Sequence, residues 1–478
     1  MKKLSMTDWA FLQLETPNQL AHVAGLWIFQ LPKGYRGDFF RDLREGLTNW
    51  QHVNPPFNYK LKTPIPKFDL PSWVEDEEFE LDKHVHFARL PKPGTQAQLL
   101  EFVEQLHSQM LDRSRPLWDI HFIDGLQVGR VAIYCKIHHA LVDGITGLNL
   151  MVNTFCQSAE ASITRTLWQP PRKRLVENLP PGLLTKAGKT FVGLLGQLRS
   201  LPELSVSLVN AGLQAVNLRQ STVPLPFTAP KTLFNVPVSA QRRLAVHTLS
   251  LTAVKALSKV ADATVNDVVL AVCAGALRRY LMAKQALPAQ SLVAFMPVSM
   301  RSAQDVLAGG NQVFAVLCSL ASEQADPSQR FTAIKASAKA AKFQFSKQSM
   351  ETTNQHILLF GGLLLLIQQL GVSAHVAPPA NVVVSNVPGP RQALYLNGAK
   401  LVAQYPLSML VDGLALNITI TSHADNLDFG ILTCREALPD VDSLADYLGD
   451  AFVELQAAFT PSPAGDQSDQ NQRFGGCD

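Results

Sequence analysis

The residues best suited to chemistry are two adjacent histidines, His138 and His139, which are followed by Asp143 and Gly144. An imidazole has an unperturbed pKa of about 6.5, so it can accept and return a proton near neutral pH. This is the requirement for general acid–base catalysis. Asp143 lies near enough to His139 along the chain to shape the loop or to orient one of the rings.

The sequence around this motif predicts the elements that position the histidines. The residue types at 131–137 alternate with a period of two and include several β-branched residues. This pattern predicts a strand. Asp143 and Gly144 are typical turn residues, and residues 145–155 then predict a helix. The histidines therefore stand where a strand ends. Because neighbouring side chains of an extended chain point to opposite faces, one ring can face a cavity while the other packs inside.

Three other interpretations of the motif are less favoured. A metal site made of His138, His139 and Asp143 needs converging side chains, but adjacent histidines on a strand diverge, and no HExxH motif is present. A second interpretation is that both histidines are core residues with satisfied hydrogen bonds. It would suit a histidine found alone, but it does not account for the whole His-His-x-x-x-Asp-Gly pattern. Nucleophilic catalysis lacks a GxSxG elbow and a cysteine in a recognisably electropositive setting. Direct transfer between two bound substrates is therefore the simpler mechanism.

Composition places the chain among globular proteins of more than one domain. Its 478 residues are 47% hydrophobic and 17% charged, and a usual length of about 100–200 residues per domain predicts two or three domains. A net charge of +3, without basic runs that contain aromatics, gives no support for nucleic-acid binding. The six cysteines are scattered without a CxxC pair, which suits a reducing compartment.

The apolar segments predict a cytoplasmic protein that is not integral to a membrane. The first eight residues lack the apolar core of a signal peptide. The most apolar run, residues 357–367, is well short of the roughly 20 residues needed to span a bilayer.

Four regions differ in character along the chain. Residues 1–160 and 236–460 both mix strand-like alternation with helical periodicity. Residues 161–235 are rich in proline and basic residues. A basic amphipathic helix there can either lie on an anionic membrane surface or pack on the domains as a solvated linker. Residues 461–478 have no apolar pattern, which predicts a disordered tail.

The stretch from His138 to Gly144 resembles the HHxxxDG motif of the CoA-dependent acyltransferase superfamily, which includes chloramphenicol acetyltransferase and peptide-synthetase condensation domains. More narrowly, nearly the whole chain is similar to the bacterial wax ester synthase/acyl-CoA:diacylglycerol acyltransferases. The matching strings are short, but their order and spacing together are specific. They are Asp8, His22-Val23-Ala24-Gly25-Leu26, Arg115-Pro116-Leu117-Trp118, Asn266-Asp267-Val268-Val269-Leu270, Pro297-Val298-Ser299-Met300-Arg301, Gly310-Asn311, Ser385-Asn386-Val387-Pro388-Gly389-Pro390 and Asp412-Gly413-Leu414-Ala415-Leu416-Asn417.

This resemblance implies an α/β fold with two chloramphenicol-acetyltransferase-like lobes, each a mixed sheet flanked by helices, and an active site in the cleft between them. Residues 1–160 would form the first lobe, residues 236–460 the second, and residues 161–235 a helical linker. We expect an O-acyltransferase that moves a long-chain acyl group from acyl-CoA to a fatty alcohol or to diacylglycerol, without a metal or other cofactor.

The same resemblance implies a cytoplasmic protein bound peripherally to the inner membrane or to lipid inclusions, where such substrates are found. Two alternatives stay open. One is a related ester synthase with another acceptor, and the other is an inactive acyl-lipid-binding or lipid-body protein.

The resemblance also assigns roles to residues of the motif. It places His139 in the cleft as the general base, with His138 in support and Asp143 in the loop, where Arg301 is its expected partner. An alcohol hydroxyl is too weak an acid to ionise at neutral pH, so its proton must leave as the ester bond forms. His139 would accept that proton and return it to the departing CoA sulfur.

The remaining candidate residues are open to more than one interpretation. Asn266 is either a donor to the tetrahedral oxyanion or part of a helix N-terminus, since a Thr-x-x-Asp capping-box pattern ends at Asp267. Asn386 either lines the site or closes a proline–glycine turn, and the turn is favoured. Ser408 and Met409 are candidates for contacts with the acceptor.

Overall fold

The computed structural model describes residues 2–47, 49–63, 70–142, 147, 150, 152–164, 166–169, 223–299, 313–346, 362–363, 366–368, 370–373 and 375–460. The strands are β1 (Lys2–Lys3), β2 (His22–Gln30), β3 (Tyr59–Lys62), β4 (Ser72–Glu75), β5 (Val85–Arg89), β6 (Trp118–Leu126), β7 (Arg130–His138), β8 (Arg242–Ser250), β9 (Val293–Ser299), β10 (Val313–Ser319), β11 (Val382–Val387), β12 (Tyr395–Leu396), β13 (Ala399–Leu407), β14 (Leu416–His423) and β15 (Asn426–Cys434). The helices are α1 (Met6–Leu14), α2 (Phe39–Glu45), α3 (Gln96–His107), α4 (Leu251–Val260), α5 (Val265–Ala283), α6 (Pro327–Ser346) and α7 (Val441–Phe459). Most of the predicted 161–235 linker, part of the predicted helix at 145–155 and the whole predicted tail at 461–478 lie outside the described residues.

The first sheet has the strand order β12-β13-β2-β7-β6-β5 and is mixed, because β5 and β6 are parallel while the other pairs are antiparallel. Successive side chains of β7 point to opposite faces of the sheet. Ile133 and Ile137 pack in one apolar cluster, whereas Tyr134 packs with α3 in another. The strand ends at His138, which pairs with His22 of β2. A small antiparallel sheet, β1-β4-β3, lies in the same part of the chain.

The second sheet has the strand order β10-β9-β11-β14-β15-β8, with β11 parallel to both β9 and β14. One face packs against α4, α5, α6 and α7 in a large apolar cluster. Helix α5 is buried over residues 267–277. Two mixed sheets flanked by helices confirm the predicted α/β class. We call the parts built on the two sheets the first and second lobes.

Strand β13 joins the two lobes in a way that the sequence does not indicate. It comes late in the chain, yet it pairs with β2 in the first sheet. Its other edge meets the second sheet, where the Gln404 N–H donates to Asp428 Oδ2 at 2.9 Å and Asn426 Nδ2 donates to the Val402 carbonyl at 2.9 Å. Pro406 carries no N–H that would be left unpaired on this edge. The first sheet therefore needs strands from both ends of the chain.

A buried carboxylate also ties the lobes together. Glu104 of α3 accepts hydrogen bonds from Arg243 at 3.1 and 3.2 Å, from Arg435 at 2.7 Å and from the Leu244 N–H at 2.8 Å. All three partners belong to the second lobe. Because a buried carboxylate is stable only when it is paired and hydrogen-bonded, this arrangement favours one relative placement of the lobes.

No single helix among the described residues is both long and apolar enough to cross a bilayer. Helices α4 and α5 satisfy that test only as a pair, and they meet at an angle of 101°. Helix α5 packs into the core of the second lobe.

The close approach of β13 and β15 gives a test of the contact between β13 and the second sheet. A Cβ atom at Gly430 would lie 1.9 Å from the Pro406 carbonyl oxygen, so Gly430→Ala must push the two strands apart. We expect the free energy of unfolding to fall by about 1–3 kcal/mol or more, and a lower apparent melting temperature measures this loss. Gly46→Ala, at a helix end with φ of −73°, is the control and should have a much smaller effect. An unchanged melting temperature for Gly430→Ala would contradict the described contact.

Candidate active site

The two histidines lie where β7 ends. His138 is the last residue of the strand and its side chain is fully buried, whereas His139 is half-buried. The backbone N–H of His138 donates to the Leu117 carbonyl at 3.0 Å, and that of His139 donates to the Ala21 carbonyl at 2.8 Å. The backbone of the motif is therefore fixed by neighbouring segments, while His139 as a whole residue is only partly buried.

The ring of His138 is oriented by the backbone on one side and by a carboxylate on the other. Its Nδ1 accepts a hydrogen bond from the Ala140 N–H at 3.0 Å, so the neutral ring carries its hydrogen on Nε2. Nε2 lies 3.4 Å from Oε1 of Glu15, a distance that indicates an electrostatic contact rather than a short hydrogen bond. The second carboxylate oxygen of Glu15 accepts hydrogen bonds from Arg113 Nε and Nη2 at 3.0 and 2.9 Å.

These partners keep the Glu15 carboxylate charged although its side chain is fully buried. Burial, the largest single effect, raises the pKa of Glu15. The interactions with His138 and then with Arg113 together outweigh burial, so the net pKa is lowered from the ordinary value of 4.5. The Ala21 N–H also donates to Oε1 at 3.2 Å. One buried charge therefore holds the end of β7, the start of β2 and the segment that carries Arg113.

The ring of His139 stacks on Phe11, with ring centroids 3.9 Å apart and an angle of 15° between the planes. Phe11 belongs to α1, which begins with a capping box between Ser5 and Asp8 and ends directly before Glu15. Helix α1 therefore carries the Phe11 contact to His139 and leads into the Glu15 contact to His138.

A layer of buried polar side chains lies behind the histidines. His22, opposite His138 across β2 and β7, contacts the His107 carbonyl through Nε2 at 3.0 Å. His107 Nδ1 lies 2.8 Å from the Tyr134 hydroxyl. Burial, the main cause, lowers the pKa of His107 to about 3 and the pKa of His22 well below its ordinary value. These two imidazoles are therefore neutral at pH 7 and serve as hydrogen-bonding groups.

Asn266 and Asp267 lie in the first turn of α5. The Asp267 side chain accepts hydrogen bonds from the Thr264 N–H and hydroxyl at 2.9 and 2.7 Å, and its own N–H donates to the Thr264 hydroxyl at 3.2 Å. This is the predicted capping box, so Asp267 helps to begin the helix. Asn266 is half-buried, and within the described part of the chain no hydrogen bond joins its side chain to His138 or His139.

Asn386 stands inside β11, opposite Ile420 of β14, and the Pro388-Gly389-Pro390 segment follows the strand. Ser408 and Met409 directly follow β13 and are half-buried. The Met409 carbonyl accepts a hydrogen bond from Asn417 Nδ2 at 3.3 Å. Because β13 pairs with β2 up to residue 407, Ser408 and Met409 lie beside the start of β2, the strand that also pairs with the end of β7.

Three predicted residues, Asp143, Gly144 and Arg301, lie outside the described residues, so the Asp143–Arg301 pair stays a prediction. Where the structure does describe the chain, no group of three or more histidine, cysteine, aspartate or glutamate side chains is arranged to hold a metal ion.

A shallow groove with a cavity volume of about 60 Å³, partly open to solvent, lies at the junction of the lobes. Leu14 and Gln19 line it from the first lobe. The apolar residues that line it from the second lobe include Phe227, Ile367, Val376, Pro378, Pro379 and Val411. Because Leu14 is one helical turn from Phe11, the groove approaches the histidines from the side of α1.

Comparison with known proteins identifies the family. A model of the wax ester synthase/diacylglycerol acyltransferase catalytic domain matches residues 4–269, and a model of the C-terminal domain of the same family matches residues 309–456. A probable diacylglycerol O-acyltransferase of Mycobacterium tuberculosis is 38% identical over 464 residues, which are 96% of this chain and 99% of that protein. The chain belongs to the wax ester synthase/diacylglycerol acyltransferase family. The O-acyltransferase WSD of Acinetobacter baylyi is 36% identical over 452 residues, 94% of this chain and 95% of that protein.

Solved structures support the same assignment. The wax ester synthase/diacylglycerol acyltransferase of Marinobacter aquaeolei VT8 matches with a TM-score of 0.75 at 33% identity, and the match covers 96% of this chain and all of that one. The first condensation domain of the calcium-dependent antibiotic synthetase matches with a TM-score of 0.58 at 14% identity, over 96% of each chain. The second likeness concerns the fold alone. Together they confirm the predicted two-lobed fold of the family.

Sequence reasoning missed Glu15 and Phe11, although both touch the histidines. Glu15 follows the largely apolar residues 9–14, and a charged side chain at the end of an apolar segment is the only signal available. Phe11 has none, because it cannot be distinguished from any other apolar residue of an amphipathic helix. More than one hundred residues separate the two from the histidines in sequence.

The lowered pKa of Glu15 predicts a contribution to stability that depends on pH. Because its folded-state pKa lies below the unfolded value near 4.5, this contribution is complete above about pH 4.5 and is lost as the pH falls through the folded-state pKa. We therefore expect the apparent melting temperature to fall more steeply for the wild type than for Glu15→Gln as the pH is lowered from about 6 to about 3.5.

Glu101→Gln, on the exposed face of α3, is the matched control and should follow the wild type. Parallel curves for the wild type and Glu15→Gln would show that the buried carboxylate is not stabilised by its partners.

Proposed function

We propose that this protein transfers a long-chain acyl group from acyl-CoA to the hydroxyl group of a fatty alcohol, of diacylglycerol or of both, with His139 as the general base. One observation carries the proposal: a partly buried histidine, His139, stands at a strand end beside a second imidazole that a buried carboxylate contacts. Membership of the family supports the reaction class, since the relatives named above are O-acyltransferases.

The proposed reaction forms no covalent intermediate on the protein. The acceptor oxygen attacks the thioester carbonyl carbon while a ring nitrogen of His139 takes the hydroxyl proton. The carbon–sulfur bond then breaks, and His139 returns the proton to the CoA sulfur. A thiol, with a pKa of about 8.5, leaves with little help. The products are an ester and free CoA, and the imidazole is regenerated.

Other residues position the reacting groups in this proposal. His138 holds the end of β7, while Asp143 and Gly144 shape the loop, with Arg301 as the partner of Asp143. Asn266 donates to the tetrahedral oxyanion. Acyl-CoA is a substrate, and no further cofactor takes part.

The hydrocarbon portions of both substrates are apolar, and the junction groove offers an apolar surface beside the site. Ser408 and Met409 contact the acceptor in this proposal, because they follow β13 next to the start of β2. We place the protein at the surface of the inner membrane or of lipid inclusions, where neutral lipid acceptors are found.

Removal of the proposed base should abolish most of the turnover. General-base catalysis typically contributes about 10²–10⁴-fold, so His139→Ala should lower kcat by a factor in that range while acyl-CoA binding is retained. The measurement is release of free thiol from palmitoyl-CoA, with hexadecanol and with diacylglycerol as acceptors. His52→Ala, an exposed histidine of the first lobe, is the control. Normal turnover by His139→Ala would contradict the proposal, and acyl-CoA binding without thiol release by the wild type would favour the inactive lipid-binding alternative.

The basic segment at 161–235 predicts weak binding to anionic membranes. Each basic residue near such a surface contributes about 1 kcal/mol, so replacement of Arg172, Lys173 and Arg174 by glutamine should weaken liposome binding by at least about tenfold. Replacement of Lys255 and Lys259, which are exposed on α4, is the control. Binding that does not change in the triple variant would count against a membrane contact by this segment.

A further inference from the structure

Two glutamine side chains meet at the end of α1, one from each lobe. Gln19 of the first lobe is almost fully buried, and Gln368 comes from the second lobe. Gln19 Nε2 donates to the Leu14 carbonyl at 2.6 Å and to Gln368 Oε1 at 3.2 Å. Gln368 Nε2 donates to the same Leu14 carbonyl at 3.1 Å. We call this arrangement the amide clasp.

The clasp satisfies a group that a helix end leaves without an internal partner. The last carbonyls of an α-helix have no intrahelical donor, and Leu14 is the final residue of α1. Two side-chain amides take the place of the missing donors. Arg113, which also holds Glu15, donates to the Leu12 carbonyl at 2.7 Å. The last turn of α1 is therefore fixed by side chains from outside the helix.

The clasp is also tied to the second lobe through the backbone. Gln19 Oε1 accepts a hydrogen bond from the Asp412 N–H at 2.8 Å, and the Asp412 carboxylate accepts one from the Val238 N–H at 2.9 Å. Gln19, Gln368 and Asp412 all line the junction groove. The clasp is thus the point at which the wall of the groove is joined to α1.

We propose that Gln19 and Gln368 are positioning residues for the transfer reaction, which act across the lobe junction by fixing the end of α1. The next residue after the clasped carbonyl is Glu15, whose carboxylate orients His138. Without the clasp, the end of α1 keeps fewer constraints and the Glu15 carboxylate is held less closely to the ring. This inference rests on the proposed function, because the reaction is its readout.

The test compares Gln19→Leu and Gln368→Leu with the wild type. Gln368→Leu removes two hydrogen bonds and Gln19→Leu removes three. The loss of these bonds predicts a kcat lower by about three- to tenfold. Gln19→Leu should have the larger effect, because it removes three of the contacts. The KM for acyl-CoA should stay within about twofold in both variants. Gln329→Leu, on exposed α6 surface, is the control. Unchanged kcat in both variants would overturn the proposal.

A double-mutant cycle separates positioning from a general structural role. If the clasp acts through Glu15, Gln368→Leu should lower kcat by less than about twofold when Glu15→Gln is already present, because linked effects are not additive. An equal fold loss in both backgrounds would overturn the proposal. Gln368→Leu removes the Gln19–Gln368 hydrogen bond but leaves the bonds of Gln19 to the Leu14 carbonyl and the Asp412 N–H in place. It therefore keeps the test valid if Gln19→Leu does not fold. Failure of the proposed function would appear differently, as a wild type that releases no thiol with any acceptor.

Discussion

The site depends on one buried negative charge. Glu15 is removed from water between helix α1 and the strand that carries the histidines, and its charge is kept there by Arg113, by the ring of His138 and by the Ala21 N–H. A buried carboxylate costs several kcal/mol unless such partners are present. The same contacts that stabilise the charge also fix the histidine pair, because His138 and His139 are consecutive on a chain whose backbone is itself held at Leu117 and Ala21.

The fold supplies these partners from distant parts of the chain. Helix α1 and β2 come from the N-terminal part of the chain, and the histidines from the end of β7. Strands β12 and β13, which follow the second lobe's β11, complete the first sheet. The Glu104 carboxylate and the Asp428 carboxylate each join groups of the two lobes. A change at the lobe junction can therefore reach the histidines through a short series of hydrogen bonds rather than through the whole core.

The sequence predicted local structure well and distant contacts poorly. Alternation in residues 131–137 is a local property, and it correctly gave the strand that ends at His138. The capping box at Thr264 and Asp267 is equally local and is present. The pairing of β13 with β2 is not local, because the two strands are nearly 400 residues apart in sequence. No residue pattern within β13 indicates which sheet the strand joins.

The same distinction applies to the candidate site. The motif at His138 and His139 could be found because its residue types carry chemistry, whereas Phe11 and Glu15 act only through their position in the fold. Asn386 lies next to the last residue of β11, opposite Ile420 of β14, and its two interpretations, lining the site or closing the turn, stay predictions. Short-range patterns thus find chemical groups, and long-range packing decides which of them meet.

The central claim, that His139 takes the acceptor proton, can be tested most directly by the structure of a ternary complex. A crystal structure with a non-transferable thioether analogue of acyl-CoA and a long-chain alcohol would give the distance from the alcohol oxygen to the His139 ring. We predict that a ring nitrogen of His139 lies about 2.6–3.2 Å from that oxygen. The carbon of the analogue that is bonded to sulfur should contact the same oxygen from the side opposite His139. An alcohol oxygen out of hydrogen-bond reach of His139, and in contact with another base, would contradict it.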